Sequence, residues 1–489
     1  MIWLHTYSGL LLGWLLFAIF LTGTLSYFST ELTHWMRGGQ VSQHWEKTVH
    51  VAFDALADTK DEAKNWQITL PDERGAEARI QWRDNENKRH TIEQDNVHVN
   101  TAGGRFFVAF HYTLNLREYG GRYLAGIAAI AMIVAIISGI FTHRRIIQDF
   151  FVVRARPLLK LVTDAHAIVG IVTLPFCFLI CFSALAIYIS LYVPWFANAH
   201  FEHGVRDIDK QITARYQTIT PSAEISSQLT PTPDLKAILQ DVNTHWSAKQ
   251  VPVIPIRISV DAPFTAQGRI IVWGIEPTWV SNKLVSRAYS WKHGAFIAFD
   301  DKEPFAREVR RALYGYHEAH FAQTGLRWLL FLSGIASTFL IGSGCIIWFN
   351  KRKDKVKHLS IGHRLVDKLN IAVIGGLPMA CAAFFSTNRM LPTTVVDRAG
   401  WEVLAFFVAW AVAFVIACLC KRQRAWLLIL WLSCGLFTVS AALSLAKGMW
   451  TEHAVSSLYW WVTCLMVFSA AVNLLIAKAL QRRWSKAAC

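Results

Sequence analysis

Eight long apolar runs decide what this chain can fold into. A helix that crosses a bilayer needs about 20 mostly apolar residues. Such runs lie at roughly 3–28, 122–142, 166–192, 327–349, 369–388, 401–420, 425–446 and 458–478 of the 489 residues. Two long polar segments, 29–121 and 193–326, separate the first four. Hydrophobic residues make up 53% of the chain and charged ones 17%; ordinary soluble domains carry about 25% charge. That balance excludes a disordered chain and a typical soluble enzyme. The first run is too long for a signal-peptide core and ends without a small-residue cleavage site, so it reads as an uncleaved signal anchor.

The formal net charge of +15 then becomes a question of sides. Arg144, Arg145, Arg154, Arg156 and Lys160 fill segment 143–165. Seven more basic residues fill 350–368, and Lys421, Arg422 and Arg424 fill 421–424. The tail holds Lys478, Arg482, Arg483 and Lys486. The alternate loops, 389–400 and 447–457, hold only Arg389, Arg398 and Lys447. Cytoplasmic loops are the basic ones. Eight spans with both termini cytoplasmic satisfy that rule at every short loop and leave both polar segments extracytoplasmic. The surplus charge therefore reports orientation and not a nucleic-acid partner. The nine cysteines avoid both polar segments, and no Cys-x-x-Cys occurs, so neither a disulfide framework nor c-type haem attachment is expected.

The chain repeats itself. His5-Thr-Tyr-Ser-Gly9 matches His166-Ala-Ile-Val-Gly170 at an offset of 161, which also aligns Thr22 with Ser183 and Tyr27 with Tyr188. At an offset of 205, Gly121-Arg122 matches Leu326-Arg327, and Ser138-Gly139 matches Ser343-Gly344. Residues up to about 350 thus read as two parallel copies of span, polar segment and span, related by a pseudo-two-fold along the membrane normal. Four such spans make a four-helix bundle, whose interior is a usual place for cofactors. Residues 369–489 read as a further four-span module.

Histidines sit at both ends of this bundle. His5, His143 and His166 lie at the cytoplasmic ends of spans one, two and three. His111, His317 and His320 lie at the extracytoplasmic starts of spans two and four. Ionisable residues at membrane depth are rare and functional by default, and neutral imidazole is a common haem-iron ligand. Symmetry pairs His5 with His166 on one iron, with His143 as an alternative on that side. It pairs His111 with His317 or His320 on another. Gly9 and Gly170 leave room for a flat macrocycle. Arg122, Arg144, Arg145 and Arg327 are candidate propionate partners. His200 and His203, with Glu202 between them, are either a metal-binding group or a solvated interfacial cluster. The polar segments alternate in strand fashion near 66–71, 77–82, 253–260, 268–274 and 284–298, with helices near 47–64 and 234–247, so two small α+β domains are expected. No phosphate loop or nucleophile–base set appears.

These residues resemble the PepSY-associated transmembrane family, the iron-regulated membrane proteins that include inner-membrane ferric-siderophore reductases. The resemblance rests on Leu4-His5-x3-Gly9-Leu10 with Leu21-Thr22-Gly23, and on Phe110-His111 followed by Gly120-Gly-Arg122-Tyr-Leu. It continues through Ser138-Gly139, His143-Arg-Arg145 and Ala165-His166-x3-Gly170, then His320-Phe with Gly325-Leu-Arg327-Trp-Leu. It covers residues 1–350. It implies PepSY-like periplasmic domains, two b-type haems and electron transfer to ferric siderophores in the periplasm; electrons are expected to enter at the cytoplasmic side from a quinol or a soluble cytoplasmic donor. It carries over His5, His111, His143, His166 and His320, but not His317.

The expected architecture is a mainly α membrane protein with spans at 1–28, 122–142, 166–192 and 327–349. PepSY-like domains fill 29–121 and 193–326, cytoplasmic loops 143–165 and 350–368, and the extra module 369–489. The expected function is a di-haem inner-membrane reductase. The competing class is a non-redox siderophore permease or a PepSY-type regulatory binder.

Overall fold

The computed structural model describes residues 1–38, 45–59, 62–71, 78–92, 100–142, 158–200, 202, 230–277, 282–297, 305–353, 355–356, 358–450 and 457–486. They form two compact units. A helical unit holds Met1–Gln40, Val99–Leu185 and Gln323–Cys489; a polar unit holds Val41–His98 and Ala186–Ala322.

Among the described residues, six helices of the first unit are long and apolar enough to cross a membrane: Gly121–Thr142, Thr324–Lys353, Ile361–Met390, Arg398–Leu419, Arg422–Lys447 and Ser457–Lys486. Two helix pairs, Ile2–Leu11 with Gly13–Ser26 and Leu158–Val172 with Leu174–Ile187, bring the number to eight if each is one span. These pairs are bent by 63° and 61°, where the apolar pattern alone suggests straight spans. The breaks fall at Leu12 and Thr173, which share the 161-residue offset. Pro175, just past the second break, has no N–H for the carbonyl one turn back. Gly13, just past the first, lies so close to Cys345 that an added Cβ would stand 2.5 Å from its Sγ. Small residues of this kind let membrane helices approach closely. The Thr22 hydroxyl donates to the Ala18 and Ile19 carbonyls, and its repeat mate Ser183 donates to Leu179 and Ile180. The internal repeat is therefore structural down to side-chain hydrogen bonds.

Residues 361–486 belong to this same unit. Within Ile361–Met390, Asn370–Gly375 is a π-helical stretch, and such wide turns leave backbone groups to be satisfied from outside. The Trp410 indole N–H donates to the Ala372 carbonyl at 3.1 Å. The Asn370 amide accepts from Trp14 Nε1 at 2.9 Å and donates to the Cys345 carbonyl at 3.3 Å. One side chain thus ties this helix to both the first and the fourth span. Farther along, the short helix Arg105–Thr113 packs Phe106 on Phe384 and Phe110 on Phe406, with ring centroids 5.0 and 5.6 Å apart.

A buried polar network closes the same end. Glu402 is fully buried and pairs with Arg398 at 3.0 Å. Its carboxylate also accepts from Thr101 Oγ1 at 2.7 Å, the Ala102 N–H at 2.9 Å and Asn388 Nδ2 at 2.7 Å. Arg398 donates to the Asn100 and Asn388 carbonyls. Nearby, the Arg389 guanidinium lies 3.8 Å from the Trp35 ring centroid and donates to the Trp35 carbonyl.

The polar unit is one antiparallel sheet, not two domains. β1 (Ala63–Thr69), β2 (Arg79–Asp84) and β3 (Arg89–Ile92) come from the first polar segment. β4 (Ile254–Asp261), β5 (Arg269–Pro277), β6 (Asn282–Ser290) and β7 (Phe296–Ile297) come from the second. Their order is β3-β2-β1-β4-β5-β6-β7. The seam pairs Trp66 with Val260 and Ile68 with Ile258. Each half alone would expose an apolar strand edge, and pairing the edges removes that liability. Trp45–Ala57 and Leu235–Ser247 cover one face, packing Val49, Phe53, Val242 and Trp246 onto Trp66 and Ile258. The first helix ends at Ala57, short of the sequence expectation, because β1 begins at Ala63.

On that face Asp241 accepts from Tyr289 at 2.6 Å and Arg287 at 2.7 Å. Burial raises the Asp241 pKa, but these two bonds outweigh it and the net shift is downward. A depressed carboxylate stabilises the fold above the ordinary carboxylate range and loses that contribution as pH falls through it. Asp241→Asn is expected to cost about 1 kcal/mol near pH 7, the exposure of the pair limiting the effect. The difference from the parent should be smaller at pH 3, as pH falls toward the depressed folded pKa. Thermal unfolding of the purified chain at both pH values checks this.

Candidate functional site

His5 and His166 meet inside the helical unit. His5 lies on Ile2–Leu11 and His166 on Leu158–Val172, each before the bend of its helix pair. Their ring centroids stand 6.5 Å apart with the planes at 72°.

Each ring is held through Nδ1. His5 Nδ1 lies 2.8 Å from the Ala135 carbonyl. A carbonyl only accepts, so this nitrogen carries the proton. His166 Nδ1 lies 3.0 Å from Ser343 Oγ, and that hydroxyl donates its single proton to the Leu340 carbonyl at 2.9 Å. With the hydroxyl proton placed on the Leu340 carbonyl, the hydroxyl accepts from His166 and Nδ1 carries the proton, as it does in His5. Both imidazoles place their lone pair on Nε2, the form that ligates a metal. Ala135 and Leu340 are themselves repeat mates at the 205-residue offset.

Glycine lets the rings lie against the helices that hold them. A Cβ at Gly139 would stand 3.1 Å from the His5 ring, and one at Gly344 would stand 3.2 Å from His166 Cε1. The repeated Ser-Gly pairs of the second and fourth spans thus sit beside the repeated histidines of the first and third. A Cβ at Gly9 would meet nothing within 4 Å, and one at Gly170 would make an ordinary 3.5 Å contact with Leu340.

The centroid separation matches that of two imidazoles sharing one iron. With metal–imidazole bonds of about 2.0–2.1 Å, rings on opposite sides of one ion have centroids roughly 6–6.5 Å apart. Two imidazoles are an incomplete set for zinc, which takes three or four protein ligands. They would suffice to hold haem iron, whose other ligands come from the macrocycle. Among the described residues there is no group of three or more His, Cys, Asp or Glu side chains placed to hold a bare metal ion.

His111 repeats the device. It lies on Arg105–Thr113, and its Nδ1 is 2.8 Å from the Ile19 carbonyl. A Cβ at Gly23 would stand 2.6 Å from that nitrogen. The other residues expected beside His111 lie in the polar unit. His317 ends the helix Phe305–Glu318. His320 follows Ala319, whose φ is +55°, and its Nε2 lies 2.7 Å from Glu318 Oε2. Arg327 lies 3.3 Å from Glu31, and Arg122 sits over the Tyr112 ring at 5.6 Å. His143, Arg144, Arg145 and His203 lie outside the described residues, and of His200 only the backbone, at the end of Pro194–His200, is described.

Ser343, Gly139, Gly344 and Gly23 were not legible as ring-holding residues. The signal was the Ser-Gly repeat at offset 205. Its meaning appears only once the helices are packed, because the histidines and their partners are far apart in sequence.

A comparison with curated proteins gives no match. The family model described as the PepSY-associated TM region matches residues 2–351, the stretch that holds both repeat copies and both members of the His5–His166 pair, and the chain belongs to that family.

Proposed function

We propose that this protein is a di-haem reductase of a bacterial inner membrane that carries electrons to ferric siderophores in the periplasm. The observation that carries the proposal is the His5–His166 pair, two Nδ1-anchored imidazoles at a 6.5 Å centroid separation. His5 and His166 would hold one b-type haem by their Nε2 atoms. His111, whose ring is anchored in the same way, is the candidate for the second. Bound there, haem supplies one-electron carriage between the two faces of the membrane.

The chain supplies the rest. The Ala135 carbonyl and Ser343 fix the imidazole tautomers and planes. Gly139 and Gly344 admit the rings. A quinol or a soluble cytoplasmic reductant is the donor class, and each ferric ion takes one electron. Hard oxygen chelators hold Fe(III) better than Fe(II), so reduction releases the metal.

The test is a reoxidation assay. Purified protein is reduced with dithionite, desalted and mixed with ferric hydroxamate or catecholate chelates beside a colorimetric Fe(II) trap. The proposal expects the reduced haem bands to decay with one Fe(II) trapped per electron lost. Bands that stay reduced with every chelate would contradict it.

A further inference from the structure

We infer that Ser343 is a positioning residue that sets the redox balance of the His166-ligated iron, and that it does so on one side of the pseudo-two-fold only. The inference rests on reading His166 as an axial ligand.

The asymmetry is in the hydrogen bonds. On the first copy, His5 Nδ1 donates straight to the Ala135 carbonyl at 2.8 Å. The adjacent hydroxyl, Ser138 Oγ, does not touch the ring; it donates to the Val134 carbonyl at 2.6 Å and reaches the Ala135 carbonyl at 3.2 Å. On the second copy the repeat mate Ser343 stands between His166 Nδ1 and the Leu340 carbonyl, at 3.0 and 2.9 Å. The same residue type at the same repeat position is thus a bystander in one half and the ring's partner in the other. Ser343 is 3% exposed and Ser138 1% exposed, so bulk water does not stand in for either hydroxyl.

The chemistry gives the direction. An imidazole whose N–H is donated to an acceptor is a more basic ligand. A more basic ligand favours Fe(III) over Fe(II). The Ser343 hydroxyl is the stronger acceptor because its own proton is committed to Leu340, and hydrogen bonds in a chain reinforce one another. Removing it takes that acceptor away from the half-buried His166 ring. The iron then shifts toward Fe(II) and its potential rises. His5 takes its bond from backbone, which no substitution removes, so His166 is the ligand through which side-chain variation tunes this iron.

The experiment is a redox titration of the full-length protein, followed by the haem absorption bands, with total haem per protein measured alongside. Ser343→Ala is expected to make the Fe(II)/Fe(III) balance of one haem about tenfold more reduced at fixed potential, which is 59 mV for a one-electron couple. The other haem should titrate as in the parent. Ser343→Thr keeps the hydroxyl and should restore the parent potential. Ser138→Ala should leave both potentials unchanged. Should Ser343→Ala fail to retain haem, Ser343→Cys is titrated in its place, since a thiol is a weak acceptor of similar size; an upward shift there supports the assignment. Parent-like potentials in whichever of the two retains haem overturn it, as does an equal shift in Ser138→Ala. Absence of haem from the parent protein would instead remove the reading of His166 on which the inference stands.

Discussion

Replacing either His5 or His166 by Ala is expected to remove one of two haems, and the same one in both cases. The two rings sit 6.5 Å apart with both Nδ1 atoms engaged, and on the proposed reading each would contribute one bond to a shared iron. A single imidazole cannot hold a low-spin six-coordinate haem, and the remaining site is open on one side. Pyridine haemochrome analysis should give about half the parent haem per protein in each variant, with no further loss in the double variant. His111→Ala should remove the other half. The fold should survive, because the packing partners Gly139, Gly344 and Ser343 remain. Retention of the parent low-spin bis-imidazole spectrum in His5→Ala, or additive loss in the double variant, would show that the two histidines do not share an iron.

Glu402→Ala is the largest expected stability defect. Glu402 is fully buried and accepts from Arg398, Asn388, Thr101 and the Ala102 N–H. Removing the carboxylate leaves the Arg398 guanidinium buried without a counter-charge. Breaking one side of such a pair typically costs about 3–5 kcal/mol. Replacing both partners with apolar residues, Arg398→Met with Glu402→Leu, should cost much less, because no charge is then stranded. Thermal unfolding in detergent separates the two outcomes. Equal destabilisation by the single and double variants would contradict the account. The network joins segment 100–102 to the Asn388 and Glu402 helices, next to the helix that carries His111. Glu402→Ala should therefore also loosen the haem assigned to His111 before the one at His5 and His166.

Much of this architecture is written in local patterns. Apolar runs of membrane length locate the spans, because a bilayer leaves the backbone few alternatives. Strand alternation locates the sheet, and offsets of 161 and 205 locate the repeat. What those patterns lack is contact between distant residues. Nothing near Pro175 or Gly13 says that two spans bend by about the same angle. Nothing in either polar segment says that β1 will pair with β4, since each half has its own alternation and its own helix. Asn370 reads as an odd polar residue until it reaches Trp14 and Cys345. The His5–His166 partnership was readable because symmetry is a long-range statement that a sequence can carry. The role of Ser343 was not, because it depends on symmetry being broken at that residue.

The most direct measurement of the central claim is the absorption spectrum and haem count of the purified full-length protein, oxidised and dithionite-reduced. The account predicts two b-type haems per chain with low-spin bis-imidazole bands, one of which disappears in His166→Ala. A colourless preparation, obtained from cells supplied with haem, would contradict it.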